Sequence, residues 1–589
     1  MPPNDPPDVS QLSPAYAQPI YMNAEAAVMA NTTSQRRGSI RLSSSFNPRP
    51  INFRGSFSSH EDEEETTGLL TDTANGYGAA ETAYIQTRRS SLASRKGSLA
   101  VIPSNYAEGT FSEAETSYST EFRMLTTYSV PLVVTFLLQY SLTVASVFSV
   151  GQLGKSELAA VSLASMTANI SAYGIIQGIS TCLDTLCPQA YGRNDYKTVG
   201  LYFMRCTALL FLVYAFIFVL WVFFSEMILI AVIPERELCG LASQYLRILV
   251  WGVPGFIIFE NLKHYLQAQG IFHASTYVLM VCAPMNMLLN YELVWNPLFG
   301  IGYAGAPIAV VITNWIMAGL LALYTWRVRG YECWCGFTPD IFRNWHRMLA
   351  LAGPGVLMVE AEWLAFEIIT FSASRFGTVV LAAQSVVSTT CVLVYQIPFA
   401  ISIAASTRVA WFIGSASKDA ARIATHCAMI IGLGFGVLNA IFLATFRRKI
   451  ASLFSSDPDV IDLASQVLII GAIYQVNDSL SCMSGGVLRG QGRQHIGGWL
   501  NLFSYYFLAL PVAFLCAFGF HMELFGLWIG MVIALFFISI SQSYFVLTAD
   551  WSAIIKQSVQ DAITEHTSGT PLVEHNLLSP SVSVISNDF

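Results

Sequence analysis

Two polar stretches bracket a long apolar middle. Residues 1 to about 120 are rich in Ser, Thr, Pro, Gly and Asn and poor in large aliphatics, and polar character returns from about residue 550. Between them, twelve runs of 20 or more largely apolar residues alternate with short polar connections. Their approximate limits are 125–148, 158–182, 201–225, 240–262, 276–296 and 305–326, then 347–373, 380–406, 424–445, 462–487, 497–518 and 524–547. About 20 apolar residues cross the roughly 30 Å hydrocarbon core as an α-helix, so each run predicts a membrane-spanning helix. The N-terminal stretch cannot bury a core and is expected to be disordered.

The apolar pattern also repeats. LAAVS at 158–162 returns as LAAQS at 381–385, an offset of 223 residues that carries Pro131 onto Pro354 and Gly154 onto Gly377. LQAQG (266–270) maps onto LRGQG (488–492) at 222, and Gly305 onto Gly526 at 221. Six spans per half give both repeats the same orientation. The predicted architecture is an all-α membrane protein: twelve transmembrane helices in two six-helix lobes, related by a pseudo-two-fold axis along the membrane normal, with a site between them. The expected divisions are a tail at 1–120, an N-lobe at 121–326, an inter-lobe loop at 327–346, a C-lobe at 347–548 and a second tail at 549–589. That is the plan of a transporter.

Composition agrees with this plan. The chain is 54% hydrophobic and 12% charged, where a soluble domain carries about 25% charged residues. The net charge of −7 comes with no basic stripe, so no nucleic-acid partner is expected. The opening MPPNDPPDVSQLSP has neither the basic nor the apolar region of a secretory signal. Eleven scattered cysteines suit packing better than a disulfide framework, and the pair in CWC (Cys333, Cys335) lacks a second pair or nearby histidines, so no metal or cofactor is expected. Lys and Arg favour one membrane side, with Arg88, Arg89, Arg193, Lys197, Lys263, Arg327, Arg329, Lys418, Arg489 and Arg493 against Lys155, Arg236, Arg375 and the Arg447–Lys449 cluster. This balance orients both tails toward the cytosol.

Chemistry in such a chain is sought among its intramembrane charges, which are costly and usually face a bundle interior or a wet cavity. MVEAEWLAFE (358–367) places Glu360, Glu362 and Glu367 in the seventh span. At 100° per residue Glu360 and Glu367 share a stripe, about 20° apart, while Glu362 points about 160° from Glu360. One straight helix therefore cannot aim all three at one point. Pro354, and its repeat mate Pro131 in the first span, each remove a backbone hydrogen bond and are candidate bending positions. The 223 offset sets Glu362 against Gln139, an amide that binds cargo without carrying a proton. Proton or cation chemistry is thus expected in the C-lobe, where the tenth span adds Asp478. Burial favours the protonated carboxyl, so an acid that is dry in one conformation and wet in another exchanges a proton.

Other polar groups leave two readings open. Asp184, near the end of the second span, is read as a structural anchor, Glu260 as a partner of Lys263 at least as readily as a functional acid, and Glu292 either way. Asn286 and Asn290, one turn apart, line the cavity or bond neighbouring helices. Trp363, Tyr395, Tyr505 and Tyr506 wall a site for organic cations or anchor at the lipid interface.

These landmarks resemble a known family, the multidrug and toxic compound extrusion (MATE) transporters, and in particular its eukaryotic, fungal-like members. The resemblance covers about 120–548 and rests on GQLGKSELAAVSLA (151–164), CLDTLCPQAYG (182–192), HYLQAQGI (264–271), PGVLMVEAEWLAFE (354–367), IPFAISIAASTRV (397–409) and GGVLRGQGRQHIGGWLNLFSYYFLALP (485–511). It implies an antiporter that exports organic cations or other small organic compounds in exchange for protons or sodium. It implies further that Glu362 and Asp478 are the C-lobe acidic pair, Glu367 a second acid of the seventh helix, and Gln139 a cavity amide. Three departures stand out: the first span lacks an aspartate, RVGN is replaced by RVAW (408–411) with Trp411, and Glu360 has no counterpart in the pattern.

In the N-terminal stretch, Glu65-x-x-x-Leu69-Leu70 resembles an acidic dileucine signal read by a sorting adaptor, which favours a vacuolar or endosomal membrane over the plasma membrane. Ser39, Ser90, Ser91 and Ser98 follow basic pairs and are candidate kinase sites, at which a phosphate reverses the local charge. Two alternatives keep their place: a flippase for a lipid-linked substrate on a related fold, and a membrane-embedded transferase. Nothing singles out the charged lateral groove of the first, and nine dispersed histidines, none at mid-span, count against the second.

Overall fold

Thirteen helices account for nearly all of the computed structural model, which describes residues 116–151, 153–232, 235–297 and 300–568. Twelve are long and apolar enough to cross a membrane. They are α1 (Tyr118–Gly151), α2 (Ser156–Gly192), α3 (Tyr196–Ala231), α4 (Arg236–Ala268), α5 (Ala274–Trp295) and α6 (Gly302–Arg327), then α7 (His346–Phe376), α8 (Thr378–Gly414), α9 (Lys418–Phe454), α10 (Pro458–Gln491), α11 (Gln494–Gly519) and α12 (Glu523–Leu547). Each predicted span is found, and most run several residues past the apolar limits because the helix continues beyond the hydrocarbon layer. Local signals set the ends. Asp195 caps α3 through the Thr198 amide at 3.3 Å, and Asp457 caps α10 with Pro458 in its first turn.

The repeat seen in the sequence is structural. Gly270 and Gly492, matched at 222, both adopt left-handed backbone (φ 78° and 73°) just past the tail-side ends of α4 and α10. Pro131 and Pro354 occupy matched helix seams. In the N-lobe the Thr276 hydroxyl of α5 donates to the Pro131 carbonyl at 2.8 Å. In the C-lobe Gly498 of α11, the mate of Thr276, lets the Pro354 carbonyl come within 2.9 Å of where a Cβ would sit. Both prolines lie inside unbroken helices, so neither breaks its span.

An even number of spans puts the start of α1 and the end of α12 on one membrane face, the tail face. The named contacts between lobes lie from this face to mid-membrane. α1 packs on α8 and α9, and the tail-side half of α2 packs on α7, α8 and α10. One apolar cluster crosses the lobes there, joining Leu125, Leu132 and Phe136 of α1 to Ala404, Val409 and Val487 of α8 and α10. At mid-membrane, GIIQG (174–178) turns a small-residue stripe of α2 toward α7. A Cβ on Gly178 would lie 2.5 Å from the Val356 Cα, so glycine is what permits this approach.

Two expectations about the connecting segments are corrected. Residues 549–589 do not start as a simple polar tail: α13 (Trp551–Ser568) is capped by Asp550 and docks on the tail face. Trp551 is buried against α8 and α9, while Glu565 bonds Tyr202 and Arg205 of α3 and Asp561 pairs with Arg347 of α7. Lys263 and Arg489, counted among loop charges, lie within α4 and α10. The expected N-terminal tail, with Glu65, Leu69, Leu70, Ser39, Ser90, Ser91 and Ser98, lies outside the described residues apart from 116–120, after which α1 begins at Tyr118. All described residues belong to one compact unit.

Candidate functional site

The sequence asked where the acids of α7 point, and the helix answers by separating them. Glu362 faces inward in the C-lobe toward α10, where its charge acts on Asp478. Asp478 is only 4% exposed. Three phenols lie near enough to be subject to the charge of both acids: Tyr395 of α8, Tyr474 of α10 and Tyr505 of α11. Tyr395 stacks on Phe399 with ring centroids 5.4 Å apart, and the Cys482 thiol donates to its hydroxyl at 3.9 Å. Tyr474 meets Trp528 edge-on at 5.5 Å, and the Trp528 indole donates to Gln384 at 2.7 Å. Gln384 in turn donates to Thr370 and Ser388. The site thus combines carboxyls, neighbouring aromatic side chains and a cross-helix hydrogen-bond frame, a combination suited to holding a proton or an organic cation.

Glu360 turns the other way, as the helical angle requires. Its carboxyl lies against Gly174 in the α2 seam, beside Tyr506, and its buried Oε1 has no hydrogen-bond partner in the protein. Glu367 shares that stripe two turns further from the tail face and makes no hydrogen bond or ion pair among the described residues. The structure therefore brings Glu362 and Asp478 together and leaves Glu367 apart from them. It also separates the adjacent tyrosines. Tyr505 feels the charge of the acid pair and Tyr506 that of Glu360, since adjacent helical residues point about 100° apart.

The remaining predicted residues divide between cavity and frame. Gln139, the repeat mate of Glu362, holds its buried Oε1 without a partner. Asn286 donates to Thr313 of α6 at 2.9 Å and so clamps α5 to its neighbour, while Asn290 donates to the Asn286 side chain at 3.1 Å within α5 and braces it. Trp363 is half-buried and has no ring partner among the described residues. Lys263 and Glu260 form a buried ion pair at 2.6 Å. Glu292 bonds Asn296. In CWC, the Cys333 carbonyl and the Cys335 amide pack on Gly200 of α3, which gives the motif a packing role.

Sequence reasoning missed how the tail face is closed. Glu121, fully buried at the start of α1, receives two hydrogen bonds from Arg408 of α8, at 2.5 and 3.1 Å. Asp184 of α2 pairs with His264 of α4 at 2.6 Å and with Arg489 of α10 at 3.6 Å. Nearby, Thr185 donates to the Arg489 carbonyl at 2.5 Å and Gln189 to the Gly490 carbonyl at 3.2 Å. Trp411 donates to the Ala268 carbonyl at 2.7 Å, with its ring over Gly270 and its backbone against Gly192. The available signal was the RVAW motif itself, whose Arg and Trp both prove to span the lobes.

Comparison with known proteins fits these observations. The MatE family model matches residues 131–292 and 354–515, two copies whose limits differ by the 223 residues of the repeat. An uncharacterized transporter of Saccharomyces cerevisiae is 46% identical over 74% of this chain and 63% of its own length. Multidrug and toxin extrusion protein 2 of Mus musculus is 31% identical over 73% of this chain and 74% of its own length. The crystal structure of the eukaryotic MATE transporter AtDTX14 superposes with a TM-score of 0.71 at 26% identity, covering 75% of this chain and 99% of that one. The chain belongs to the MATE family: it is a multi-pass membrane transporter and not an enzyme.

Proposed function

We propose that the protein is a secondary antiporter that exports organic cations or other small organic compounds from the cytosol in exchange for protons, by alternating access between its lobes. The observation that carries this reading is the Glu362–Asp478 pair in one lobe, Asp478 buried and Glu362 half-buried, whose charges both act on Tyr395, Tyr474 and Tyr505. A proton and a cationic substrate compete for the same negative charge there, and that competition is what couples opposite fluxes. Inter-lobe contacts from the tail face to mid-membrane support a cavity reached from the other side. Relatives named for multidrug and toxin extrusion support the substrate class.

The reading places both tails in the cytosol, on the balance of Lys and Arg, and the membrane as vacuolar or endosomal, through adaptor binding at Glu65, Leu69 and Leu70. Phosphorylation of Ser39, Ser90, Ser91 and Ser98 would then tune that address. Leu69→Ala/Leu70→Ala should move a fluorescently tagged chain to the plasma membrane, and unchanged targeting removes the signal from this account.

The transport reading is tested with the full chain in sealed vesicles under imposed pH or sodium gradients, with panels of organic cations and anions. A pH gradient should drive a cation toward the acidic compartment, and Glu362→Gln should remove that response while the protein stays folded. Transport that ignores both gradients overturns the reading.

A further inference from the structure

Asp478 and Arg489 lie eleven residues apart on α10, a separation of about 20° in angle and roughly 16 Å along the axis. They share one stripe with Cys482 and Gly485 between them. Arg489 leans back along this stripe, as helical side chains do. Its Nη1 lies 3.9 Å from where a Gly485 Cβ would sit, and its Nη2 donates to the Ser402 hydroxyl of α8 at 3.2 Å. Its Nε faces Asp184 of the other lobe at 3.6 Å and has no hydrogen-bond partner. The same guanidinium acts electrostatically on Tyr395 and Cys482, the groups on which Asp478 also acts. One arginine therefore has two claims on it: an inter-lobe carboxylate and the acid pocket.

The N-lobe has no such group. The 222 offset that carries Gly270 onto Gly492 sets Gln267 against Arg489, and both polar atoms of the Gln267 side chain are buried without partners. At both matched positions the N-lobe has an amide where the C-lobe has a charge: Gln139 against Glu362, and Gln267 against Arg489.

We infer that Arg489 is the positioning residue that links the charge of the C-lobe acids to closure of the tail face. With Glu362 and Asp478 neutral, Arg489 holds Asp184 and the lobes stay joined. With the acids ionised, the guanidinium is drawn toward them along the stripe, the Asp184 pair weakens and the tail face opens. The inference rests on the antiport reading for its biological meaning, and on geometry for its parts. Among the described residues, the other charged and titratable groups facing this contact include His264, Lys263 and Glu260 of α4 and the Cys182 and Cys187 thiols of α2, with Lys263 near enough to act on Asp184.

Hydrogen–deuterium exchange of the full chain in lipid nanodiscs tests it without substrate, at about pH 6 and about pH 8 after correction for chemical exchange, on peptides covering 184–193 and 487–495. In the unaltered protein, exchange there should rise roughly fivefold or more with pH. Arg489→Gln and Asp184→Asn should exchange fast at both values, and Arg489→Lys should keep a pH response. Glu362→Gln/Asp478→Asn should stay protected at both. His264→Asn should keep the response, because the acids and not the imidazole are the sensor. A pH response that survives in Arg489→Gln, or that disappears in His264→Asn, overturns the inference. If Arg489→Gln does not fold, Asp184→Asn decides: protection like that of the unaltered protein overturns it as well. Vesicles that ignore pH gradients would sink the antiport reading, while the exchange pattern stands or falls alone.

Discussion

The two lobes share a backbone plan and differ in what they bury at matched positions. Both have a proline in the first helix, a left-handed glycine after the fourth and a close seam between first and fifth helices. At the positions matched to C-lobe charges the N-lobe has amides, Gln139 and Gln267, and α5 adds Asn286, bonded to Thr313, and Asn290. The C-lobe puts carboxyls at Glu362 and Asp478 and a guanidinium at Arg489. A lipid-embedded bundle gains little from apolar contact between helices, so small residues and hydrogen bonds hold both lobes together. At the matched positions the C-lobe has charged or ionisable groups where the N-lobe has neutral amides, while the buried acids of the N-lobe, Asp184 and Glu260, are paired with His264 and Lys263. On the proposed reading, the difference puts the proton-binding acids in one lobe and leaves the other to bind cargo through neutral groups and to supply Asp184 as the partner of Arg489.

The sharpest way to break this contrast is to neutralise matched residues. Glu362→Gln should abolish the response of vesicle uptake to a pH gradient. Gln139→Leu should lower the rate by about threefold at most, the worth of one intramembrane hydrogen bond near 0.6 kcal/mol, with its pH profile unchanged. Equal losses in both variants would erase the asymmetry. Next in size is the clasp between lobes. Removing one partner of a buried pair costs about 3–5 kcal/mol. Arg408→Ala, which leaves the buried Glu121 carboxylate alone, should therefore lower thermal stability in detergent more than any single amide substitution.

Asn286→Leu sharpens the N-lobe half of the comparison. It should cost about 1 kcal/mol in unfolding measurements and leave the substrate range unchanged. A changed range would return Asn286 to the cavity. The smallest effect concerns His273, in the loop before α5, whose repeat mate is His495. Burial, and after it the Arg329 charge, hold the His273 ring below the ordinary value of 6.5. The unfolded chain then binds more protons than the folded one. This contribution is present above the unfolded value and is lost as pH falls from there through the lower folded value. His273→Gln should flatten the acid limb of a stability–pH curve by less than about 1 kcal/mol.

Much of the fold was legible because lipid makes strong demands on sequence. A span must be long and apolar, so twelve could be counted, and charges within spans are rare enough for Glu362 and Asp478 to stand out. The 223 offset turned scattered glycines and prolines into a two-lobe plan. Finer facts escaped for physical reasons. Glu121 precedes the first apolar run and gave no sign of a partner, yet it is fully buried and meets Arg408, 287 residues away. The choice between Tyr505 and Tyr506 depended on which face of α11 packs toward the acid pair, which the sequence period alone does not set. The amphipathic α13 read as polar tail because it lies outside the apolar runs and gains its order from docking.

By itself, then, the sequence determined the number of spans, the repeat and the asymmetry of amide against acid, all of which are local or periodic properties of the chain. It also dictated that the acids of MVEAEWLAFE could not converge, since helical angle depends on spacing alone. Only the tertiary structure decided that Glu362 meets Asp478 while Glu360 faces the α2 seam. The pairing of Asp184 with Arg489 and of Glu121 with Arg408 was settled there too. Those partners come from opposite lobes, and whether a buried charge is paired or alone depends on which distant helix packs against it.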